Sequence, residues 1–282
     1  MQDSGILCLY KPVGISSFRV LSSLKKAFNT RKVGHMGTLD PLAEGVLPVA
    51  VGKYTRLIPY ITLVPKLYEL KIYFGEESKT LDSQDVDLKE LSYNKVEFDL
   101  NEIKLQLESF CGSIMQAPPA FSAVKINGQR AYTLARANTL EDSAMKKREV
   151  TMFDFKILNW EDPVLTLQIT CGSGFYVRSL VRDLASQLKQ VAFMLELKRL
   201  AVGPFKKENC STEESIELLD LKDLISYTKI IEITELEAKR VKNGITSFFS
   251  DLEDGVYLVK CEGDYIALLD IKEQKFNLKN LC

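Results

Sequence analysis

Gly34-His35-Met36-Gly37-Thr38-Leu39-Asp40-Pro41-Leu42-Ala43-Glu44-Gly45, running into Val46-Leu47-Pro48-Val49-Ala50-Val51, is the stretch on which the reading of the chain turns. It holds the only histidine and fixes one carboxylate, Asp40, in a backbone with little freedom. Gly34, Gly37 and Gly45 allow conformations closed to other residues and let a ligand approach the main chain. Pro41 pushes Asp40 out of the helical region into an extended one. The apolar run that follows reads as a buried strand. Asp40 is therefore expected on a rigid loop at the mouth of a sheet, which suits a reactive group better than a packing group. Local composition gives about equal weight to a turn in which Asp40 caps a short helix.

Outward from this stretch, strands and helices alternate without a regular repeat. Ile6–Tyr10 reads as a short strand, and Ser16 or Ser17 as the cap of a helix with Val20, Leu21, Leu24 and Phe28 at helical spacing. Leu67–Phe74 alternates as a half-buried strand. Asn101–Phe110 reads as a helix with Ile103, Leu107 and Phe110 on one face. Phe153–Trp160 and Leu165–Thr170 read as strands paired across Glu161-Asp162-Pro163. Val177, Leu180, Val181, Leu184 and Leu188 form a helical stripe. This pattern predicts an α+β fold with a mixed, mainly antiparallel sheet and flanking helices. A boundary near Tyr227–Lys229 divides the chain into residues 1–227 and 228–282. The second part is read as a small β-rich module with a helix around Glu235–Lys242, a turn at Asn243-Gly244, and strands at Gly255–Cys261 and Tyr265–Ile271. Glu262-Gly263-Asp264 joins those strands as a hairpin.

Composition bounds the function. At 282 residues, 46% of them hydrophobic, the chain can build one large core and a small one. No apolar run reaches the length of a membrane span. The start has no basic segment followed by an apolar one, so a cytoplasmic protein is expected. Six cysteines form no C-x-x-C pair, and with one histidine there is no credible zinc ligand set, so no metal site is expected. Disulfides are not expected either. Cys8 reads as a buried strand residue, and Cys282 as a terminal thiol open to reaction.

The net charge is −1, from 37 basic and 38 acidic residues, which argues against a generic nucleic-acid binder. The charges are segregated, however. Lys11, Arg19, Lys25, Lys26, Arg31, Lys32, Lys53 and Arg56 dominate the first sixty residues. Further basic clusters fall at Lys125–Arg148 and Arg178–Lys207, while acidic residues gather at 76–108 and after 207. Such a chain can present one positive face while staying neutral overall.

The pattern G-H-x-G-T-L-D-P-x-A-x-G resembles the catalytic motif of the TruB family of tRNA pseudouridine synthases. Lys11-Pro12-Val13-Gly14-Ile15-Ser16-Ser17 resembles the family's K-P-x-G-x-S-S, and Gly52-Lys53-Tyr54-Thr55-Arg56 its G-x-A-T-(K/R), with Tyr54 in place of alanine. Ala117–Tyr132 resembles the P-P-x-Y-S-A-x-K-x-x-G-x-R-x-Y block, with Phe121 in place of tyrosine. Gly172–Leu180 resembles G-T-Y-I-R-(T/S)-L, and Arg199–Gly203 resembles R-R-x-x-x-G. The blocks occur in the family's order over residues 5 to 205.

The resemblance implies a sheet of the pseudouridine synthase type and a PUA-like C-terminal domain. It implies isomerisation of a uridine of tRNA, uridine 55 of the T-arm loop, by base flipping and an essential aspartate, without cofactor. Asp40 is then the catalytic aspartate, acting at either the ribose or the base. Arg178 pairs with it, as an ionised nucleophile requires a cation beside it. Tyr68, in Lys66-Leu67-Tyr68, stacks on the uracil or moves a proton. Lys11 and Leu200 match positions lining the pocket. His35 fits against the displaced RNA loop rather than acting as a base, and Lys125 and Arg130 belong to the RNA-contacting block. Asp82 falls in a loop, Ser78–Asp85, that departs from the family's T-D-T-x-D-x-x-G pattern, and is kept as a supporting residue.

The residues alone admit other readings. Arg178, opposed by the dipole in a helix's first turn, also fits a surface arginine covering apolar neighbours, and Tyr68 a core tyrosine. A hydrolase acting at a glycosidic bond would need two flanking carboxylates, with Glu44 near Asp40. A non-catalytic RNA-binding module would use the same basic clusters, and a guide-RNA-dependent relative is a further case. The compact length favours a stand-alone enzyme, monomeric, with tRNA as partner and neither a membrane nor an obligate protein partner.

Overall fold

The computed structural model describes residues 4–91, 96–137, 139–140, 144–211, 218–219, 221 and 228–281. The apolar run that opens the sequence argument becomes strand β3 (Glu44–Val51), paired antiparallel with β1 (Gly5–Lys11). Helix α1 (Ser17–Ala27) is capped by the Ser16 side chain and packs Leu21 and Leu24 on one face of these strands, against Leu7, Leu47, Val49 and Val51. Val46 and Ala50 belong to a second cluster on the other face. A strand buried on both sides has no polar face to show, which is why its sequence is continuously apolar.

Short strand β2 (Val33–His35) also pairs with β3. After α2 (Ile58–Ile61) comes β4 (Lys66–Phe74), whose alternation buries Tyr68, Leu70 and Ile72. Helix α3 (Leu100–Ser109), capped by a reciprocal Asp99–Glu102 box, precedes β5 (Gly112–Gln116) and a two-stranded ribbon, β6 (Lys125–Ile126) and β7 (Gln129–Arg130). Helix α4 (Ala131–Arg136) leads to the long hairpin β8 (Arg148–Glu161) and β9 (Val164–Cys171). Helix α5 (Val177–Gln187) then returns the chain to β10 (Ala192–Val202), followed by β11 (Phe205–Lys206).

The large sheet runs β1–β3–β10–β4–β9–β8–β5, with β2 on β3 and β11 on β10. Among its described strand pairs only β3 with β10 is parallel. The mixed, mainly antiparallel α+β expectation is met. The stripe Leu180, Val181 and Leu184 of α5 packs with Ile103 and Leu107 of α3 against Leu70, Ile72, Leu167 and Ile169.

A second sheet has the order β12 (Lys229–Glu232), β13 (Gly255–Cys261), β14 (Asp264–Lys272), β15 (Lys275–Asn280). The expected hairpin is β13–β14. Strands β12 and β15 flank it, and the sequence reading did not contain them. Helix α6 (Glu235–Lys242) covers one face through Ala238 and Val241. The other face places Leu258 and Leu268, with Leu281, in one cluster with Ile6, Cys8, Met36 and Val46 of the large sheet. Arg56 donates to the Asn280 carbonyl at 2.7 Å, and Tyr60 to the Asp270 carboxylate at 3.0 Å, across the same junction. Tyr227, where the boundary was drawn, and Cys282 lie outside the described residues. Among the described residues no helix is long and apolar enough to cross a membrane.

Candidate active site

Asp40 sits in the loop between β2 and β3, and a turn leading into β3 follows it rather than a helix, so the helix-cap alternative falls. The residues beside it are pinned. The Ser17 hydroxyl donates to the Leu39 carbonyl and accepts from the Leu39 amide, both at 2.9 Å. The Gly14 amide donates to the Pro41 carbonyl at 2.8 Å. The Lys11 ammonium donates to the carbonyls of Pro12 (2.9 Å), Ile15 (2.7 Å) and Pro41 (3.4 Å). The Lys-Pro-Val-Gly-Ile-Ser-Ser segment therefore works as the clamp of the Asp40 loop. Lys11 is fully buried and does not line the cleft where it was expected, because its ammonium is engaged by these backbone carbonyls. Burial lowers its pKa, and the negative charge of Asp40 opposes the fall.

The far ends of the loop are held by Arg199, 1% exposed, whose Nε donates to the Val46 carbonyl (2.7 Å) and Nη2 to the Gly37 carbonyl (3.0 Å). Gly45 lies directly on the Arg199 backbone at φ +123°, with no room for a Cβ. The parallel register of β3 and β10 depends on that glycine.

The cleft beside Asp40 measures about 660 Å³, enough for a nucleotide-sized ligand. Arg178 enters it from the first turn of α5. Its Nε is 3.0 Å from the Asp40 carboxylate and 3.8 Å from that of Asp82. Its two other nitrogens donate to the carbonyls of Thr80 and Phe121, both at 2.9 Å. The surface-arginine alternative is thus excluded: the Arg178 side chain is 8% exposed, while that of Asp40 is 32% exposed. The turn that aims Arg178 is held by Gln116, whose amide bonds both the N–H and the C=O of Tyr176, and by Ser179, which donates to the Ala117 carbonyl.

Asp82 is almost fully buried and lines the cleft. It accepts from the Thr80 hydroxyl (2.7 Å) and the Gln84 amide (3.1 Å). Burial raises its pKa, and these bonds and Arg178 oppose the rise. Tyr68 is buried in the cleft wall with its phenol pKa raised by burial and opposed by Arg199. Lys66, on the same face of β4, lines the wall too. It donates to the carbonyls of Thr62 and Val64, and burial lowers its pKa to about 8.

The other expected residues lie apart. Leu200 does not line the cleft; Leu197, with Arg199 on the buried side of β10, does. His35 is half-buried on β2 outside the cleft, and its pKa is lowered by burial and by Arg199. Lys125 and Arg130 are on the exposed ribbon, whose neighbours Ser122, Ala123, Tyr132 and Arg136 form the cleft mouth. Glu44 pairs with Lys198 at 2.9 Å and is not a cleft residue, which removes the second carboxylate assigned to a hydrolase. Asp82 does not restore it, since both cleft carboxylates face one guanidinium rather than flank a bond. Among the described residues no group of His, Cys, Asp and Glu side chains could hold a metal ion.

Residues 25–177 match the family model for the N-terminal domain of TruB family pseudouridylate synthases. The chain belongs to that family. It is 43% identical to tRNA pseudouridine synthase B of Clostridium novyi (strain NT) over 76% of this chain and 71% of that protein. It is 36% identical to tRNA pseudouridine synthase B of Borreliella afzelii (strain PKo) over 97% and 98%. As a TruB family member the chain is an enzyme, a pseudouridine synthase. A chain in the crystal structure of a Cbf5-Nop10-Gar1 complex shares the fold at TM-score 0.69 and 22% identity, over 98% of this chain and 83% of that one.

Proposed function

We propose that this TruB family enzyme converts uridine 55 in the T-arm loop of tRNA to pseudouridine, with Asp40 as the catalytic carboxylate. The observation that carries the reading is the 3.0 Å pair of Asp40 with Arg178 inside a cleft, on a loop fastened at both neighbours of Asp40. The relatives' names supply the substrate class.

A stacked uridine is out of reach of a carboxylate in a cleft, so it must leave the loop stack. Unstacking costs a few kcal/mol, and aromatic stacking and backbone contacts offset it. Tyr68 offers a ring in the cleft wall, and Phe121, Tyr132 and Tyr176 surround the same space. Asp40 attacks at the ribose or at the base, the base turns, and it is rejoined through carbon. Arg178 orients Asp40 through its Nε while two carbonyls fix the guanidinium plane, so the carboxylate needs no reorganisation at the moment of reaction. Asp82 adds a second carboxylate near the same Arg178 Nε, at 3.8 Å. The isomerisation involves no net oxidation, so the proposal requires no redox cofactor. Lys125 and Arg130, on the exposed ribbon next to the cleft mouth, are assigned to the RNA backbone.

The proposal extends to organisation: residues 1–227 form the catalytic domain and 228–282 a PUA-like domain, supported by the second sheet being built wholly from residues 229–280. The proposal further reads the chain as a stand-alone cytoplasmic monomer.

The test is incubation with unmodified tRNA transcript followed by chemical mapping of pseudouridine. Pseudouridine at position 55 alone is the expected result. Release of free uracil would indicate a glycosidic hydrolase, and unchanged RNA with tight binding a non-catalytic module.

A further inference from the structure

Outside the cleft, Cys8 and Cys210 touch: their Sγ atoms are 3.0 Å apart across 202 positions of sequence. Cys8 is buried on β1, in the apolar cluster shared by the two sheets, while Cys210, just after the turn Lys207–Asn209, is partly exposed. The backbone holds the two thiols together. The Ser211 amide donates to the Cys8 carbonyl at 2.8 Å, and the Cys210 amide to the Lys207 carbonyl at 3.0 Å. The Cys210 thiol also lies 3.4 Å from the Lys206 carbonyl.

The thiols differ in a useful way. The hydrogen bond between them, together with burial, raises the pKa of Cys8. The same bond lowers that of Cys210, against the opposing effects of burial and Glu208 and with a smaller contribution from Lys207. Cys210 is the sulfur that a dissolved oxidant can reach, and Cys8 lies buried behind it in contact. A disulfide of about 2.05 Å is about 1 Å shorter than the present separation of the two sulfurs.

We propose that Cys8 and Cys210 are an oxidation site, at which a hydroperoxide converts the pair to a disulfide that staples β1 to the segment leading into the C-terminal sheet. The Cys210 thiolate attacks the peroxide, breaks the O–O bond and becomes a sulfenic acid, and the leaving oxygen takes a proton as water or alcohol. The Cys8 sulfur then attacks the sulfenic sulfur, the S–O bond breaks, and the Cys8 proton leaves with the hydroxide as water. Two thiols lose two electrons, and the peroxide gains them.

The experiment treats the full chain with one molar equivalent of hydrogen peroxide in the presence of dimedone and maps peptides without reduction. The exposed Cys111, whose pKa is raised by burial and nearby carboxylates, serves as the comparator. The expected result is a Cys8–Cys210 linked peptide that forms before any dimedone adduct at Cys111, with free thiols falling from six toward four. Cys8→Ser should leave Cys210 trapped as its dimedone adduct, and Cys210→Ser should abolish both link and adduct at that end. The linked protein should melt at a higher temperature than the reduced one. Modification of Cys111 with Cys8 and Cys210 both still free would overturn the proposal, as would a linked form that melts lower. Should either variant misfold, the wild-type map alone decides.

Discussion

Around the cleft the large sheet buries charge, whereas the described C-terminal sheet buries none. Lys11, Lys66, Asp82, Arg178 and Arg199 are all below a tenth exposed, and all lie before residue 200. The interior of the second sheet is Tyr257, Leu258, Val259 and Ile266 to Leu269, with Ala238 and Val241 packed from α6. Charge taken out of water costs several kcal/mol per ion unless its bonds are replaced. Each buried cation of the cleft has replacements: three carbonyls for Lys11, two for Lys66, two for Arg199, and two carbonyls with two carboxylates for Arg178. The cleft is thus held by directional bonds that fix geometry, the C-terminal sheet by packing that fixes stability. Changes in the first should remove chemistry and leave the fold. Changes in the second should do the reverse.

Arg178→Lys should show the largest effect. An ammonium is a point charge and cannot hold two carboxylates and two carbonyls in one plane. Turnover should fall on the order of a thousandfold, about 4 kcal/mol, with a native circular dichroism spectrum. A near-wild-type rate would mean that the planar grip is irrelevant.

Leu268→Ala should act in the opposite sense. Its side chain is fully buried in the cluster joining the sheets, so a loss of about 3 kcal/mol in urea unfolding is expected. The single-turnover rate with enzyme saturating over tRNA should stay within about twofold of wild type. A collapsed rate in folded protein would show that the C-terminal sheet shapes the cleft.

Tyr68 separates ring from hydroxyl. Tyr68→Leu removes both and should cost roughly a hundredfold in turnover, about 2.7 kcal/mol. Tyr68→Phe keeps the ring but leaves Arg199 without the hydroxyl it acts on, and should fall between Leu and wild type. Wild-type activity in both would reduce Tyr68 to packing.

Lys66 gives the smallest effect and carries a pH sign. Its pKa falls from 10.5 to about 8 on folding. Between those values the unfolded chain holds the extra proton, so stability rises as pH rises through that window. Relative to Lys66→Met, wild type should gain about 1–3 kcal/mol in urea unfolding between pH 7.5 and 10. A flat difference would mean that the ammonium is solvated.

The same contrast explains what the sequence discloses. Strand β3, α1, the β8–β9 hairpin and α5 are legible because periodicity records burial, and the place of Asp40 on a loop before β3 is legible because Pro41 restricts its backbone while Gly37 and Gly45 take conformations closed to other residues. Lys66 enters the sequence reading only within Lys66-Leu67-Tyr68, and Arg199 only within a basic cluster and the Arg199–Gly203 block, yet strand alternation places Lys66 with Tyr68 and Leu70, and Arg199 with Leu197; that signal for burial was available. It also separates Leu197 from Leu200, on opposite sides of β10 next to a bulge. Asp82 had no such signal, since its loop has no period: Thr80 and Gln84 are its neighbours in sequence, but Arg178, which gives it a place at the site, meets it only in space. Strand β12, Lys-Ile-Ile-Glu, is a short edge strand without alternation, whereas β15 does alternate, with Phe276 and Leu278 on the packed side, and that signal was available.

The central claim is that Asp40 performs chemistry on a site that the rest of the cleft only positions. Single-turnover pseudouridine formation by Asp40→Asn, purified free of host enzyme and held at saturating concentration over tRNA, tests it most directly. The amide keeps the side chain's shape and removes its charge. The account predicts no detectable pseudouridine, with tRNA affinity within about tenfold of wild type, or about 1.4 kcal/mol. Measurable product at the wild-type site would contradict it.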